Sequence, residues 1–226
     1  MAVDANHTEA TLVAARLREE IVRGLVPPAS KLKLAPLAEK YGISRGPLRE
    51  AASRLAAERL VVFEDHRGFR VAPISREDLI DVTRTRMQIE TLALADAIEN
   101  GDDEWEGRVV AALHRIGLVA KLPAGEERRA AFSVRHAELH AELCSSCTSA
   151  YLLGFRSTLY SLSERYRCLA DERYASQAVG RDIQGEHEAL VEAAVARDIE
   201  GACTQLEEHL RATAETLIEG YPELFG

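Results

Sequence analysis

The tetrapeptide His-Ala-Glu-Leu occurs twice in succession at residues 136–143, within SVRHAELHAELCSSC, and runs into a Cys-x-x-Cys. On a helix, His136 and His140 stand one turn apart and present both imidazoles to one side. That spacing lets two rings reach one metal ion, and neutral imidazole suits zinc, nickel, copper or iron. Further histidines, His187 and His209, lie downstream, each ahead of apolar residues of a core-facing pattern. The alternative is four separate histidines, each satisfied in a core or at a surface. The pattern is not the zincin motif His-Glu-x-x-His, because Glu138 falls two residues after His136 and faces elsewhere. It also differs from the zinc deaminases, which place His-x-Glu and Pro-Cys-x-x-Cys on separate helices. Here Glu138 and Cys144 are close neighbours, and Leu143 stands where the proline would be. An enzyme would need a general base near the metal, and none stands out. Cys144 and Cys147 lack a second Cys-x-x-Cys to complete a zinc site, so they read as small buried or partly exposed residues. With Cys168 and Cys203 they are expected as free thiols.

The elements that must hold these residues are helices. Alanine, leucine, glutamate and arginine dominate the 226 residues, aromatics are only 5%, and 46% of residues are apolar. The second part of the chain reads as an all-α bundle of about six helices over residues 75–220. Ser75 and Asp78 open the first as a capping box, and Gly101 ends it. DDEWEGRVVAALHRIGLVA, EERRAAFSVRHAELHAELCSS, SAYLLGFRSTLYSLSERYRCLA, SQAVGRDIQGEHEALVEAAVARD and IEGACTQLEEHLRATAETLIEG supply the others. Three of these helices could aim four imidazoles at one interior point.

The first part of the chain, residues 8–73, has another pattern. Val13, Leu17 and Ile21 mark an amphipathic helix that Gly24 ends, LAPLAEKYG a short second helix, and ISRGPLREAASRLAAERL a third, with Ser44 as its expected cap. Two strand-like pieces joined by DHRG follow. Three helices and a β-hairpin wing form a winged helix-turn-helix, so the chain is mainly α. The third helix is then the recognition helix, and its N-terminal residues face base edges in the major groove. Arg45 and Arg49 lie opposite the Leu48/Leu55 stripe and suit bidentate contacts to guanine. Gly46 lets a backbone approach closely. Lys31, Lys33, His66 and Arg67 are placed to hold phosphates. Charge agrees: residues 1–75 carry 12 Lys and Arg against 9 Asp and Glu, whereas residues 76–226 carry 16 against 28. A basic head on an acidic body predicts two domains with different partners. No apolar run is long enough to span a membrane and no signal peptide opens the chain, so the expected location is the cytoplasm.

These residues carry a resemblance. SRGPLREAASRLAAERLV…RGFRV resembles the GntR family of bacterial transcription regulators over roughly residues 10–72, with Gly46 where threonine is usual and Ala52 where leucine is usual. Ala35 stands where some members place a basic DNA contact. Residues 76–215 resemble the FadR-like C-terminal ligand-binding (FCD) domain. The cues are TRMQIETLAL, HAELCSSCTSAYL, GEHEALVEAAVARD and EEHL. The resemblance implies a homodimer on a palindromic operator, with repression as the usual mode. In metal-binding members three histidines and an acid hold a divalent ion, and by motif His140, His187 and His209 take the histidine positions while His136 replaces the acid. Four neutral ligands leave a divalent site at +2 rather than +1, which favours zinc first, or nickel, cobalt or copper, over manganese or magnesium. Ser149 stands where an asparagine is usual. Arg86 matches an arginine often placed near the effector, where it would grip a small carboxylate beside the metal. Its other reading is a surface salt bridge with Glu90, and Arg165 and Arg167 are further candidates. A linker near Val71–Ser75, stiffened by Pro73, would carry the signal. Two alternatives stay open, a purely structural metal and a catalytic one.

Overall fold

In the computed structural model, which describes residues 8–170 and 181–225, nine α-helices and one two-stranded sheet are found among the described residues. The chain forms two compact units. The first comprises the residues up to Leu79, with Ser161–Leu169 and the segment from Glu223 onward; the second comprises Ile80–Tyr160 and the segment from 181 to Pro222.

In the N-terminal unit, α1 (Glu9–Val22), α2 (Leu34–Tyr41) and α3 (Arg45–Ala57) precede β1 (Val61–Glu64) and β2 (Gly68–Val71). Thr8 caps α1 by accepting from the Thr11 amide, and Val13, Leu17 and Ile21 are buried as their spacing predicts. Gly42 ends α2 in the left-handed region at φ 68°, where an L side chain would be strained. Leu48, Ala51, Ala52 and Leu55 form the buried stripe of α3, each fully enclosed. Charged side chains tie the layers. Arg18 on α1 forks onto Glu58 at 2.8 and 2.6 Å, and buried Glu20 accepts from Lys40 and Tyr41 at 2.7 and 2.8 Å. The hairpin is antiparallel, with Val61 opposite Val71 and Glu64 opposite Gly68. Its turn uses positive φ at His66 (62°) and Gly68. In the same unit Arg165 donates to the Ala72 and Pro73 carbonyls, and the Tyr166 hydroxyl donates to Asp78 at 2.5 Å.

The second unit is helical. Its elements are α4 (Arg76–Asn100), α5 (Asp103–Val119), α6 (Glu126–Leu143), α7 (Ala150–Ala170), α8 (Ile183–Val195) and α9 (Ile199–Gly220), of which α4 and α7 each extend into the first unit. Gly101 separates α4 from α5 because a Cβ there would lie 2.3 Å from the Trp105 ring. Trp105 is fully buried and donates its indole N–H to the Glu142 carbonyl at 3.0 Å. Around it pack Leu94, Ile98, Val109, Leu139, Leu190 and Leu206. Cys144 and Cys147 join this core as free thiols, and burial pushes Cys144 up to about 12, so it stays a thiol rather than a reactive thiolate.

Several boundaries differ from the sequence expectation. α6 stops at Leu143, and the Cys-x-x-Cys forms a turn closed by Cys147 N–H to the Cys144 carbonyl. Ser149 then caps α7 by accepting from the Leu152 amide at 3.3 Å, a role that asparagine also fills. The helix expected from Ser176 begins only at Ile183, because Asp182 caps it through the Gly185 amide; residues 176–180 lie outside the described residues. Ser44 occupies the N-cap of α3, but its hydroxyl makes no capping bond. The first-turn amides of that exposed helix end thus lack an internal side-chain acceptor.

Candidate functional site

The four histidines meet. α6 contributes His136 and His140, α8 His187 and α9 His209, and one ring nitrogen from each lies within 4.8 Å of the others. All four are buried, none more than 6% exposed. Four imidazoles bound tetrahedrally to one ion at about 2.1 Å stand about 3.4 Å apart, so the rings draw in by up to about 1.4 Å to close on zinc. The Nε2 of His140 is buried with no hydrogen-bond partner, the mark of a nitrogen reserved for something outside the chain. Burial holds His140 well below the usual histidine range, and the charges of His209 and Arg86 lower it further. Burial also lowers His209, against the pull of Glu186. Neutral imidazoles are what a transition metal requires. The donor set therefore fits a divalent transition ion.

The surroundings orient the rings. His209 Nδ1 is 2.8 Å from Glu186 Oε2, which fixes the proton on Nδ1 and turns Nε2 to the cluster. Glu186 is itself forked by Arg181 at 2.6 and 2.7 Å, and Arg181 also donates to the His209 carbonyl. Hydrogen bonds from His209 and Arg181 hold Glu186 at about 2, overriding the opposing effect of burial. His136 Nδ1 lies 3.3 Å from the Tyr160 hydroxyl on α7.

Arg86 lies beside the cluster, stacked 4.9 Å from the Tyr160 ring centre. Its ion pair with Glu90, at 2.7 Å, is not on the surface as the simplest expectation had it: the side chains are 6% and 1% exposed. Arg165 and Arg167, the weaker effector candidates, lie elsewhere. Arg165 binds the Ala72 and Pro73 carbonyls, and Arg167 pairs with Glu164 in the N-terminal unit. Glu138 pairs with Arg115 and Arg135 at 2.7 and 2.8 Å, so it is no base for the cluster. Sequence reasoning missed Tyr160, Arg156, Glu186 and Arg181. Two signals were present: Glu186 adjoins His187, and Arg156 lies one turn before Tyr160.

The residues proposed to meet DNA are all exposed: Arg45, Gly46 and Arg49 on α3, Lys31 and Lys33 ahead of α2, and His66 and Arg67 on the hairpin turn. Arg45 and Arg49, four apart, share an exposed side of α3 that flanks its buried stripe rather than lying opposite it, because Arg45 stands two turns before buried Ala52. Around Gly46 only the Ser44 hydroxyl lies within 4 Å of a Cβ position, at 3.9 Å, so the chain's own packing does not demand glycine there.

A winged helix-turn-helix joined to an all-helical unit is the architecture of a DNA-binding transcription regulator. The comparisons with known proteins agree. Residues 10–71 match the bacterial regulatory proteins of the gntR family, and residues 81–212 match the FCD domain. The chain is 35% identical over 195 residues to the HTH-type transcriptional repressor GlaR of Escherichia coli K12, covering 86% of this chain and 89% of GlaR. It is 38% identical over 193 residues to the HTH-type transcriptional regulator BphR of Paraburkholderia xenovorans LB400, covering 84% of this chain and 77% of BphR. Among solved structures, E. coli McbR/YncC superposes with a TM-score of 0.79 at 21% identity, covering 95% of this chain and 99% of that one, which shows a shared fold. The chain belongs to the GntR family and carries an FCD domain. It is a DNA-binding transcription regulator, not an enzyme. No helix among the described residues is long and apolar enough to cross a membrane.

The buried imidazoles make the metal-free protein acid-sensitive. In the unfolded chain a histidine takes up its proton below about pH 6.5. In the folded chain His140 and His209 resist protonation because their folded values are lowered. The unfolded state then binds more protons, so stability falls as pH drops below about 6.5. Thermal melts of the metal-free protein should show a falling Tm from pH 7 to pH 5, and replacing His140 by Gln should flatten that slope. A Tm independent of pH across this window would show that these rings are not held neutral.

Proposed function

We propose that the protein is a repressor that binds a palindromic operator as a homodimer, and that its operator affinity is set by a small carboxylate bound at a metal in the C-terminal unit. The observation that carries this is the convergence of four buried imidazoles beside a buried guanidinium. His136, His140, His187 and His209 would hold a divalent ion, zinc first among the transition metals, and the ion would supply Lewis acidity toward a carboxylate oxygen. Arg86 binds and orients that carboxylate through its guanidinium fork. Tyr160 fixes the His136 ring. Glu186 holds the proton on His209 Nδ1.

At the other end, Arg45 and Arg49 read base edges while Lys33, His66 and Arg67 hold phosphates, aided by the uncapped N-terminus of α3. Repression is supported by the name of GlaR and by that of a probable D-xylose utilization operon transcriptional repressor, 29% identical over 207 residues. A dimer is supported by the exposed rings of Tyr151 and Phe155, one turn apart on α7. Residence in the cytoplasm follows from the DNA partner.

The test is operator binding by fluorescence anisotropy on a sequence selected from random DNA, with zinc-loaded protein and a panel of small carboxylates. A coupling of about 1–3 kcal/mol, roughly 5- to 150-fold in operator affinity, is expected for at least one acid. If the protein binds zinc and its operator yet no acid shifts the affinity, the metal is structural and the sensing reading fails.

A further inference from the structure

The N-terminal unit is not built from the N-terminal residues alone. The last part of α7, Ser161–Leu169, belongs to it and lies against the linker that leaves the wing. Arg165 is 1% exposed, and its guanidinium donates to the carbonyls of Ala72 at 3.3 Å and Pro73 at 2.9 Å, 93 and 92 residues back along the chain. Tyr166 is fully buried; its hydroxyl accepts from the Ser75 amide at 3.3 Å and donates to Asp78, in the first turn of α4, at 2.5 Å. Two more linker amides are held, Val71 by the Ser30 carbonyl and Ala72 by that of Leu60. α7 is itself firmly seated here. Phe225 stacks on the Tyr166 ring at 6.2 Å, and Leu169 lies so close to Gly24 that a Cβ there would meet it at 2.8 Å. Among the described residues Arg165 forms no ion pair, and its Nε is buried without a partner. A buried guanidinium balanced by carbonyl dipoles alone is costly, and an apolar side chain of like size would fill the space more cheaply. What only the fork provides is donors to two consecutive carbonyls, which fixes the backbone between them.

We propose that this end of α7 is a latch that holds the linker in one conformation, and that Arg165 and Tyr166 are positioning residues for DNA binding. Neither can touch DNA, because both are enclosed. They act through the linker. In the dimer proposed above, each recognition helix enters the major groove of its own half-site, and a fixed linker allows one separation and one twist between the two. One added base pair moves the half-sites apart by about 3.4 Å and turns them by about 35°. A latched linker cannot follow that change. A free one can, but it lowers the effective concentration of the second recognition helix at the correct spacing. The inference rests on the dimeric-operator reading and is independent of the histidine cluster. Its signal in the sequence is weak, because SERYRCLA is an ordinary helical run that only the fold brings to Pro73.

The test uses the full chain and the operator selected from random DNA, as selected and with one base pair added or removed between its half-sites, beside a duplex carrying a single half-site. Anisotropy titrations should show wild-type affinity falling at least about tenfold on either altered spacing. In Tyr166→Phe and Arg165→Met that ratio should shrink to within about threefold, through weaker binding at the native spacing, while half-site affinity stays within about twofold of wild type. Arg165→Lys, which can still donate to one carbonyl, should keep part of the ratio. Hydrogen exchange reads the latch without DNA: peptides covering residues 71–78 should exchange faster in Tyr166→Phe than in wild type, with those of α3 unchanged. Variants that keep the wild-type spacing ratio would overturn the proposal, as would a wild type that binds all three spacings alike. If Arg165→Met loses the half-site as well and melts lower, it reports folding, and Tyr166→Phe decides, because it removes one hydroxyl and leaves the ring on Phe225. Selection of a lone half-site by the wild type would instead remove the dimeric-operator reading, and the latch with it.

Discussion

His136→Ala should emerge from purification with almost no transition metal, where the untagged wild type carries about one ion per chain. His136 is 6% exposed, its ring centre lies 4.5 to 5.8 Å from those of the other three histidines, and among the described residues no carboxylate joins the metal-holding set. Loss of an outer-shell partner alone costs a metal site roughly 10- to 100-fold in affinity, so loss of a direct ligand should exceed about a hundredfold. Elemental analysis and chelator competition measure both quantities. The same position sets metal choice. Four neutral ligands leave the divalent site at +2 and favour zinc, nickel, cobalt or copper over manganese. His136→Asp would lower that charge to +1 and should raise manganese affinity relative to zinc. Equal affinity of the wild type for manganese and zinc would refute the charge argument. Equal metal content in wild type and His136→Ala would show that the cluster is not the metal centre. His114→Ala is the control, because that exposed histidine lies on α5 outside the cluster.

The second large effect is expected at the other end of the chain. Arg49→Ala should weaken operator binding by about 1–3 kcal/mol, roughly 5- to 150-fold, and relax specificity at one base position. Its melting temperature should barely move, because Arg49 is exposed on α3 while the residues that hold the helix, Leu48, Ala51, Ala52 and Leu55, are fully buried. Lys33→Ala should behave differently. Removing a phosphate-binding ammonium there lowers affinity on all sequences alike and reduces the salt slope by about one. Anisotropy titrations at several salt concentrations, on the selected operator and on single-base variants, separate the two behaviours. If Arg49→Ala binds its operator as tightly as the wild type, the reading face of α3 has been misplaced.

Much of the protein is legible before any packing is considered, and the reason is local. A helix face is set by spacing three and four, so His136 and His140 could be paired, and Arg45 and Arg49 placed on one exposed side of their helix, from sequence alone. A hairpin is set by alternation and a glycine turn, so the wing at Val61–Val71 lies where those local signals put it. Capping is partly legible. Ser75 caps as its motif predicts, with its hydroxyl 3.1 Å from the Asp78 amide, but Ser44 does not use its hydroxyl, and Asp182 starts α8 later than apolar periodicity suggests.

The residues by themselves thus determined two chemistries, a DNA-reading helix and a set of imidazoles able to hold a metal, and suggested that three helices could join the latter. Only the tertiary structure decided how those imidazoles are served. Packing of α6, α8 and α9 brought His136, His140, His187 and His209 within 4.8 Å of one another. The Arg86–Glu90 pair, a surface bridge by the simplest reading of its spacing, became a buried one, with Arg156 and Tyr160 of α7 beside it. The Cys-x-x-Cys went the other way, into an apolar core away from metal chemistry. Helical spacing fixes which residues share a face, but whether that face meets water, a hydrocarbon core or another charge depends on segments tens of residues away. Burial then decides whether a charged pair is decoration or a binding device.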